Sequence, residues 1–123
     1  MTYRKALALA ALVLTLAVSA FAQSAAGKWT ASFDTPVGMQ NYTYEFVVDG
    51  EKVTGQAVNS QRGAVDIQEG KLSGDTISFV EMLDIQGQSI RIEYTGKISG
   101  DEIQFHRQVG DFGSTDFVAK RSQ

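Results

Sequence analysis

Two charged residues interrupt the apolar phase of this chain and mark where its chemistry would lie. Glu81 stands between Phe79 and Leu83, and Arg107 between Phe105 and Val109, each in step with apolar neighbours two residues away. In a strand that spacing aims a side chain to the same face as those neighbours. Both charges should therefore point inward, and a charge taken out of water needs a partner. Two readings follow. One is a polar anchor at the mouth of the fold that holds a ligand's head group. The other is a structural ion pair, or strand ends that already meet water.

Other chemistry is thin. His106, the single histidine, alternates out of phase with Phe105 and should face solvent. One histidine and no cysteine make no conventional zinc constellation, and no Asp-x-Asp-x-Asp-Gly loop is present for calcium. No nucleophile elbow, phosphate loop or catalytic cysteine can be named, so no enzymatic activity, metal or cofactor is expected. Asn41-Tyr42-Thr43 matches a glycosylation sequon, a short and common pattern. The aromatics Tyr42, Tyr44, Phe46, Phe79, Tyr94, Phe105 and Phe117 could line a pocket or simply fill a core. A buried tyrosine hydroxyl needs a hydrogen-bond partner, so Tyr42 and Tyr44 point to a rim or a partly wet interior. The candidate ligand-binding set is accordingly Tyr42, Tyr44, Phe46, Phe79, Glu81, Tyr94, Phe105 and Arg107.

The elements that position these residues are written in a repeat. Gly70-Lys71-Leu72-Ser73-Gly74-Asp75-Thr76-Ile77-Ser78-Phe79 returns 26 residues later as Gly96-Lys97-Ile98-Ser99-Gly100-Asp101-Glu102-Ile103-Gln104-Phe105, with seven of ten positions identical. Each copy reads as strand, tight turn, strand, with glycine supplying the turn. Glu81 and Arg107 are equivalent positions of the two copies. Period-two alternation recurs along the chain, clearest where Ile90, Ile92, Tyr94, Gly96 and Ile98 oppose Arg91, Glu93, Thr95 and Lys97. Eight strands are expected, at about 28–34, 41–48, 51–58, 63–72, 75–84, 88–98, 101–109 and 115–121, with a bulge at Glu69-Gly70. Short links between successive strands make a meander. Eight strands with one apolar face each leave open edges unless the sheet closes. The predicted fold is all-β, an eight-stranded antiparallel up-and-down barrel with its apolar face inward. A two-sheet sandwich is the alternative, disfavoured by the short links. A membrane barrel would need its lysines and arginines on the lipid face and is rejected.

Residues 1–22 carry Arg4 and Lys5, an apolar run and Ala20-Phe21-Ala22, which predicts a cleaved signal peptide. The domain then spans 23–123 and should work in a periplasm or outside a cell. The whole chain carries a formal net charge of −3. Without Arg4 and Lys5, 9 basic residues face 14 acidic ones, scattered without runs. That balance argues against nucleic acid and against anionic membranes as partners.

Gly27-Lys28-Trp29 opens the first strand and Lys120-Arg121 ends the last. In those residues, in strand count and in meander order, the chain resembles calycins: lipocalins, fatty-acid-binding proteins, avidins and small bacterial metalloprotease inhibitors. The resemblance implies that Trp29 plugs the closed end of the barrel and Arg121 covers it, both structurally. The chain is shorter than a lipocalin, has Ser114-Thr115-Asp116-Phe117 on its last strand where that family does not place its Thr-Asp-Tyr element, and lacks the inhibitors' disulfide. Phe117-Val118-Ala119-Lys120-Arg121 is also similar to the ending of small secreted bacterial modules. The leading expectation is a secreted barrel that binds a small, mostly apolar ligand inside. A protein-interaction module is the alternative, such as a protease inhibitor acting through residues 23–26 or a loop. A solid structural module is the third. Loops Thr35–Gln40, Asn59–Arg62 and Gly110–Gly113, with the turn at Gly87, should share one end and form the opening.

Overall fold

A computed structural model of the protein describes residues 25–122. The leader expected at 1–22 lies outside those residues, as do Gln23, Ser24 and Gln123. The strands are β1 (Gly27–Thr35), β2 (Gly38–Asp49), β3 (Lys52–Asn59), β4 (Gly63–Asp66), β5 (Gln68–Ser73), β6 (Thr76–Ile85), β7 (Gln88–Ser99), β8 (Glu102–Val109) and β9 (Gly113–Arg121). Successive strands pair antiparallel, except that β4 and β5 both pair with β3 rather than with each other and β5 carries the sheet on to β6. The sheet closes where Trp29 and Thr30 of β1 face Arg121 and Lys120 of β9. The result is a closed eight-stranded meander barrel in which β4 and β5 together serve as the fourth strand.

The fourth strand departs from the expected continuous run at 63–72. It breaks at Ile67, and the pairing of β5 with β6 shifts register between Gln68 and Lys71. Glu69 takes φ 54° there, so one extra residue is absorbed at the expected bulge position. On the outside Arg91 holds the bulge with two guanidinium bonds to the Glu69 carboxylate, at 2.6 and 2.9 Å. That fork draws the Glu69 carboxyl below its ordinary value. The first loop is also shorter than the expected Thr35–Gln40. Only Pro36 and Val37 lie between strands, because the Thr35 hydroxyl donates to the Gly38 carbonyl and accepts from the Val37 amide.

The repeated phrase builds two equivalent hairpins. Gly74 and Gly100 sit first in their two-residue loops with φ 60° and 61°, as a II′ turn requires. Inside the barrel Gly96 makes room for a ring. A β-carbon there would lie 2.6 Å from Cδ1 and Cε1 of Phe105 and from Cγ2 of Ile103. Alternate residues of the long strands are buried, and the core they form runs a column of rings among aliphatic side chains such as Ile77, Ile92 and Ile103. Phe79 stacks on Tyr94 at 4.4 Å and Phe33 on Phe117 at 4.2 Å, while Tyr44 meets Tyr94 edge-on at 5.5 Å. Such pairs add about 0.5–1.5 kcal/mol each beyond the area they bury.

Candidate functional site

Glu81 on β6 and Arg107 on β8 both point inward, 1% and 4% exposed. β7 runs between those two strands, and its Tyr94 faces Arg107 directly in register. The repeat thus places a carboxylate and a guanidinium on either side of one tyrosine. Among the ion pairs of the described residues none joins Glu81 to Arg107 directly. Phenol hydroxyls bridge them instead. Tyr42 donates to Oε2 of Glu81 at 2.9 Å and Tyr94 donates to Oε1 at 2.7 Å. Arg107 donates through Nε to the Tyr94 oxygen at 2.9 Å and through Nη2 to the Tyr42 oxygen at 3.3 Å. Tyr44 donates to Tyr94 at 3.2 Å, and Arg62, from the turn between β3 and β4, donates to Tyr42 at 3.1 Å.

Proton order in this network is forced. Arginine has only donors and a carboxylate only acceptors, so both bridging hydroxyls must point away from the guanidinium groups and toward Glu81. Each phenol oxygen then accepts twice and donates once, which exhausts its capacity. Burial raises Tyr94 well above its ordinary value of 10.0, and the nearby Tyr44 and Glu81 push the same way against Arg107. Burial likewise raises Tyr44, with Glu81 and Tyr42 adding to it and the bond to Tyr94 opposing. For Arg107 burial alone would favour the neutral form. The phenols of Tyr94 and Tyr42 and the Glu81 carboxylate outweigh it, and its value rises. Its guanidinium also lies over the rings of Phe33, Tyr42 and Tyr94, 5.2 to 5.7 Å from their centroids.

Above this network lies a cup of about 610 Å³. Its wall is Leu83, Ile90 and Val109, and its rim carries Pro36, Val37, Ile85 and Phe112. Arg62, Arg107, Gln40, Gln86, Gln88, Ser114 and Thr115 provide its polar lining, Thr115 directly opposite Arg107 in the β8–β9 register. Lining residues come from the β1–β2, β3–β4, β6–β7 and β8–β9 connections, so those loops share one end as expected. Asn59 braces that end: its amide donates to Gln40 at 3.1 Å, and its carbonyl oxygen accepts the backbone amides of Gln61 and Arg62. This Asx-type turn is what holds Arg62 over Tyr42.

Of the eight residues expected to form a ligand site, Arg107 alone lines the cup. Tyr42, Tyr44, Glu81 and Tyr94 form the hydrogen-bonded layer beneath it. Phe46, Phe79 and Phe105 pack below as ring contacts of Tyr44. Arg62 was not among the expected residues, although its loop was. Its signal in the sequence is only a basic residue in a turn at the open end. At the opposite end Trp29 is fully buried, its indole donates to the Ala25 carbonyl at 2.9 Å, and the Arg121 guanidinium stacks over it at 4.3 Å. His106 lies on the outer wall, 2.6 Å from Asp116, beside a shallow groove that the cup does not reach. Comparison with protein-family models, curated proteins and solved structures finds no match to this chain.

Proposed function

We propose that this protein binds a small, largely apolar ligand in the cup at the open end of the barrel. One observation carries the reading: large apolar side chains stand bare around a cavity of ligand size. Val37 is 86% exposed, Phe112 76% and Ile85 43%, and all three line the cup. Isolated exposed apolar residues are ordinary, but a ring of them around about 610 Å³ matches small-molecule sites, which are concave and mostly apolar with a few placed polar groups. The ligand would rest on Arg107 and Gln40 rather than among the deeper rings, which already fill the space below. If the chain is exported as its leader predicts, this ligand is met outside the cytoplasm. Native mass spectrometry of protein purified from its own host tests the reading. A co-purifying small molecule supports it, and a stable complex with another protein supports the interaction reading in its place.

That second reading keeps the bare rim as an argument, since Val37 and Phe112 could press on a partner protein. Its other arm, insertion of residues 23–26 into a protease, is less well placed. Ala25 is buried, and the Ala25 and Ala26 carbonyls accept from Trp29 and Arg121.

A further inference from the structure

Charge does not balance at the floor of the cup. Arg62 and Arg107 converge on a single phenol oxygen, that of Tyr42, at 3.1 and 3.3 Å. Two guanidinium groups brought together in this way repel each other, and the Glu81 carboxylate beneath neutralises only one of them. Neither arginine belongs to an ion pair among the described residues, and no acidic side chain lines the cup. One positive charge is left in excess, in a chain whose net charge is −3.

The donors are unspent as well. Arg107 uses Nε and Nη2 on phenol oxygens, and Nη1 has no acceptor among the described residues. Yet no buried side-chain nitrogen or oxygen of those residues lacks a partner. Nη1 therefore keeps its access to the outside, and the cup is where Arg107 emerges. Arg62 spends its side chain only on Tyr42 and is otherwise exposed. Below, the phenol oxygens of Tyr42 and Tyr94 already accept two donors each and can take no more, so the remaining guanidinium donors face a cavity whose walls are apolar.

We propose that the cup's ligand is an amphipathic anion, its charged head seated against Arg62 and Arg107 and its apolar tail running up past Leu83 and Ile90 to Val37 and Phe112. This rests on the ligand-binding reading above and gives it a chemical class. A head group with two acceptor oxygens meets guanidinium donors in the fork geometry they favour, and it supplies negative charge beside Arg107, whose guanidinium is largely withdrawn from water. The tail leaves through the rim, so the site fixes the head and tolerates length in the tail.

The test uses neutral Nile red as a fluorescent probe of the cup, and decanoate and decanol as competitors of equal chain length, each kept below the concentration at which it aggregates. Decanoate should displace the dye at least tenfold more tightly than decanol, the scale of one charge-assisted contact. Arg62→Gln, a change in an exposed turn, should weaken decanoate and leave decanol where it was. Equal displacement by acid and alcohol would overturn the anion assignment while leaving the cup as an apolar site. A preference for decanoate that survives Arg62→Gln would remove Arg62 from the head-group site and overturn the proposal as stated. If Nile red does not bind and calorimetry with decanoate shows no heat, the ligand-binding reading and the anion assignment fall together.

Discussion

Replacing Glu81 by Gln perturbs the buried network at its only acceptor of charge. The carboxylate takes one hydrogen bond from Tyr42 and one from Tyr94, at 2.9 and 2.7 Å. An amide of the same shape keeps one acceptor oxygen and turns an NH2 toward the second phenol. That phenol already accepts two donors and has nowhere to send its own proton. Glu81→Gln therefore loses one hydrogen bond to a charged group, worth about 1.5–3 kcal/mol, and orphans a buried donor. It also leaves Arg107 without a nearby countercharge, a defect that costs about 3–5 kcal/mol when a buried partner is removed outright. Because Gln keeps half of the contact, we expect a loss of about 2–4 kcal/mol, a fall in Tm of about 10–30 °C for a domain of this size. The assay is urea and thermal unfolding followed by circular dichroism, with exposed Glu102→Gln as the control. The urea midpoint should fall with the slope unchanged. Tyr94→Phe combined with Glu81→Gln should cost less than the sum of the two, by about 1 kcal/mol or more, because both remove the same hydrogen bond. A loss under about 1 kcal/mol in Glu81→Gln would refute the forced proton order, since it would mean the phenols have another acceptor.

Other consequences are as direct. Gly96→Ala sets a methyl 2.6 Å from the Phe105 ring and should cost about 1–3 kcal/mol of stability by overpacking; an unmoved unfolding midpoint would show that β7 yields. Every tyrosine after Tyr3 lies in the buried network, and those of Tyr44 and Tyr94 are raised above 10.0, first by burial. Their folded forms hold the proton more tightly than the unfolded chain does, so the stability they confer is complete below about pH 10 and drains away as pH climbs toward their folded values. The part of the tyrosinate absorbance that Tyr44→Phe and Tyr94→Phe remove should accordingly appear together with loss of the β-sheet circular dichroism signal, and that part forming in an intact barrel would contradict it. Arg121→Ala uncovers Trp29, the single tryptophan, and should cost about 1–2 kcal/mol and shift its fluorescence to the red; unchanged emission would mean the indole is shielded without the arginine.

The barrel was legible because its signals are local and repeated. Period-two alternation set which residues face inward, and Gly74, Gly100 and Gln86-Gly87 fixed hairpins in which sequence neighbours become strand neighbours. The same logic put Glu81 and Arg107 inside. Two local features escaped it for physical reasons. Pro36 and Gly38 read as a long loop, yet the Thr35 side chain closes the turn within two residues, so Met39 and Gln40 pair with Asp34 and Phe33. The break at Ile67 falls just before the expected Glu69-Gly70 bulge, and the Ile67 amide there bonds the Gly55 carbonyl at 3.0 Å, a contact with β3 that the residue type of Ile67 does not announce. The site was legible only in part. That the charges meet through Tyr42 and Tyr94 depends on how two strands far apart in sequence lean together. Arg62 reaches Tyr42 through a turn braced by Asn59, and no periodicity constrains a turn side chain. Nor does composition say whether seven aromatics fill a barrel or line a hole. Here they fill its depth, and the cup is left above them by the loops.

The most direct test of the account is an amide and guanidinium NMR titration of the isotope-labelled protein with decanoate. Shifts should gather at residues 35–40, 62, 83–90 and 109–115 and at the Nε–H of Arg107, with Trp29 and Arg121 at the far end unmoved. Shifts centred on Trp29, on the outer wall at His106, or nowhere would contradict a ligand held in the mouth of this barrel.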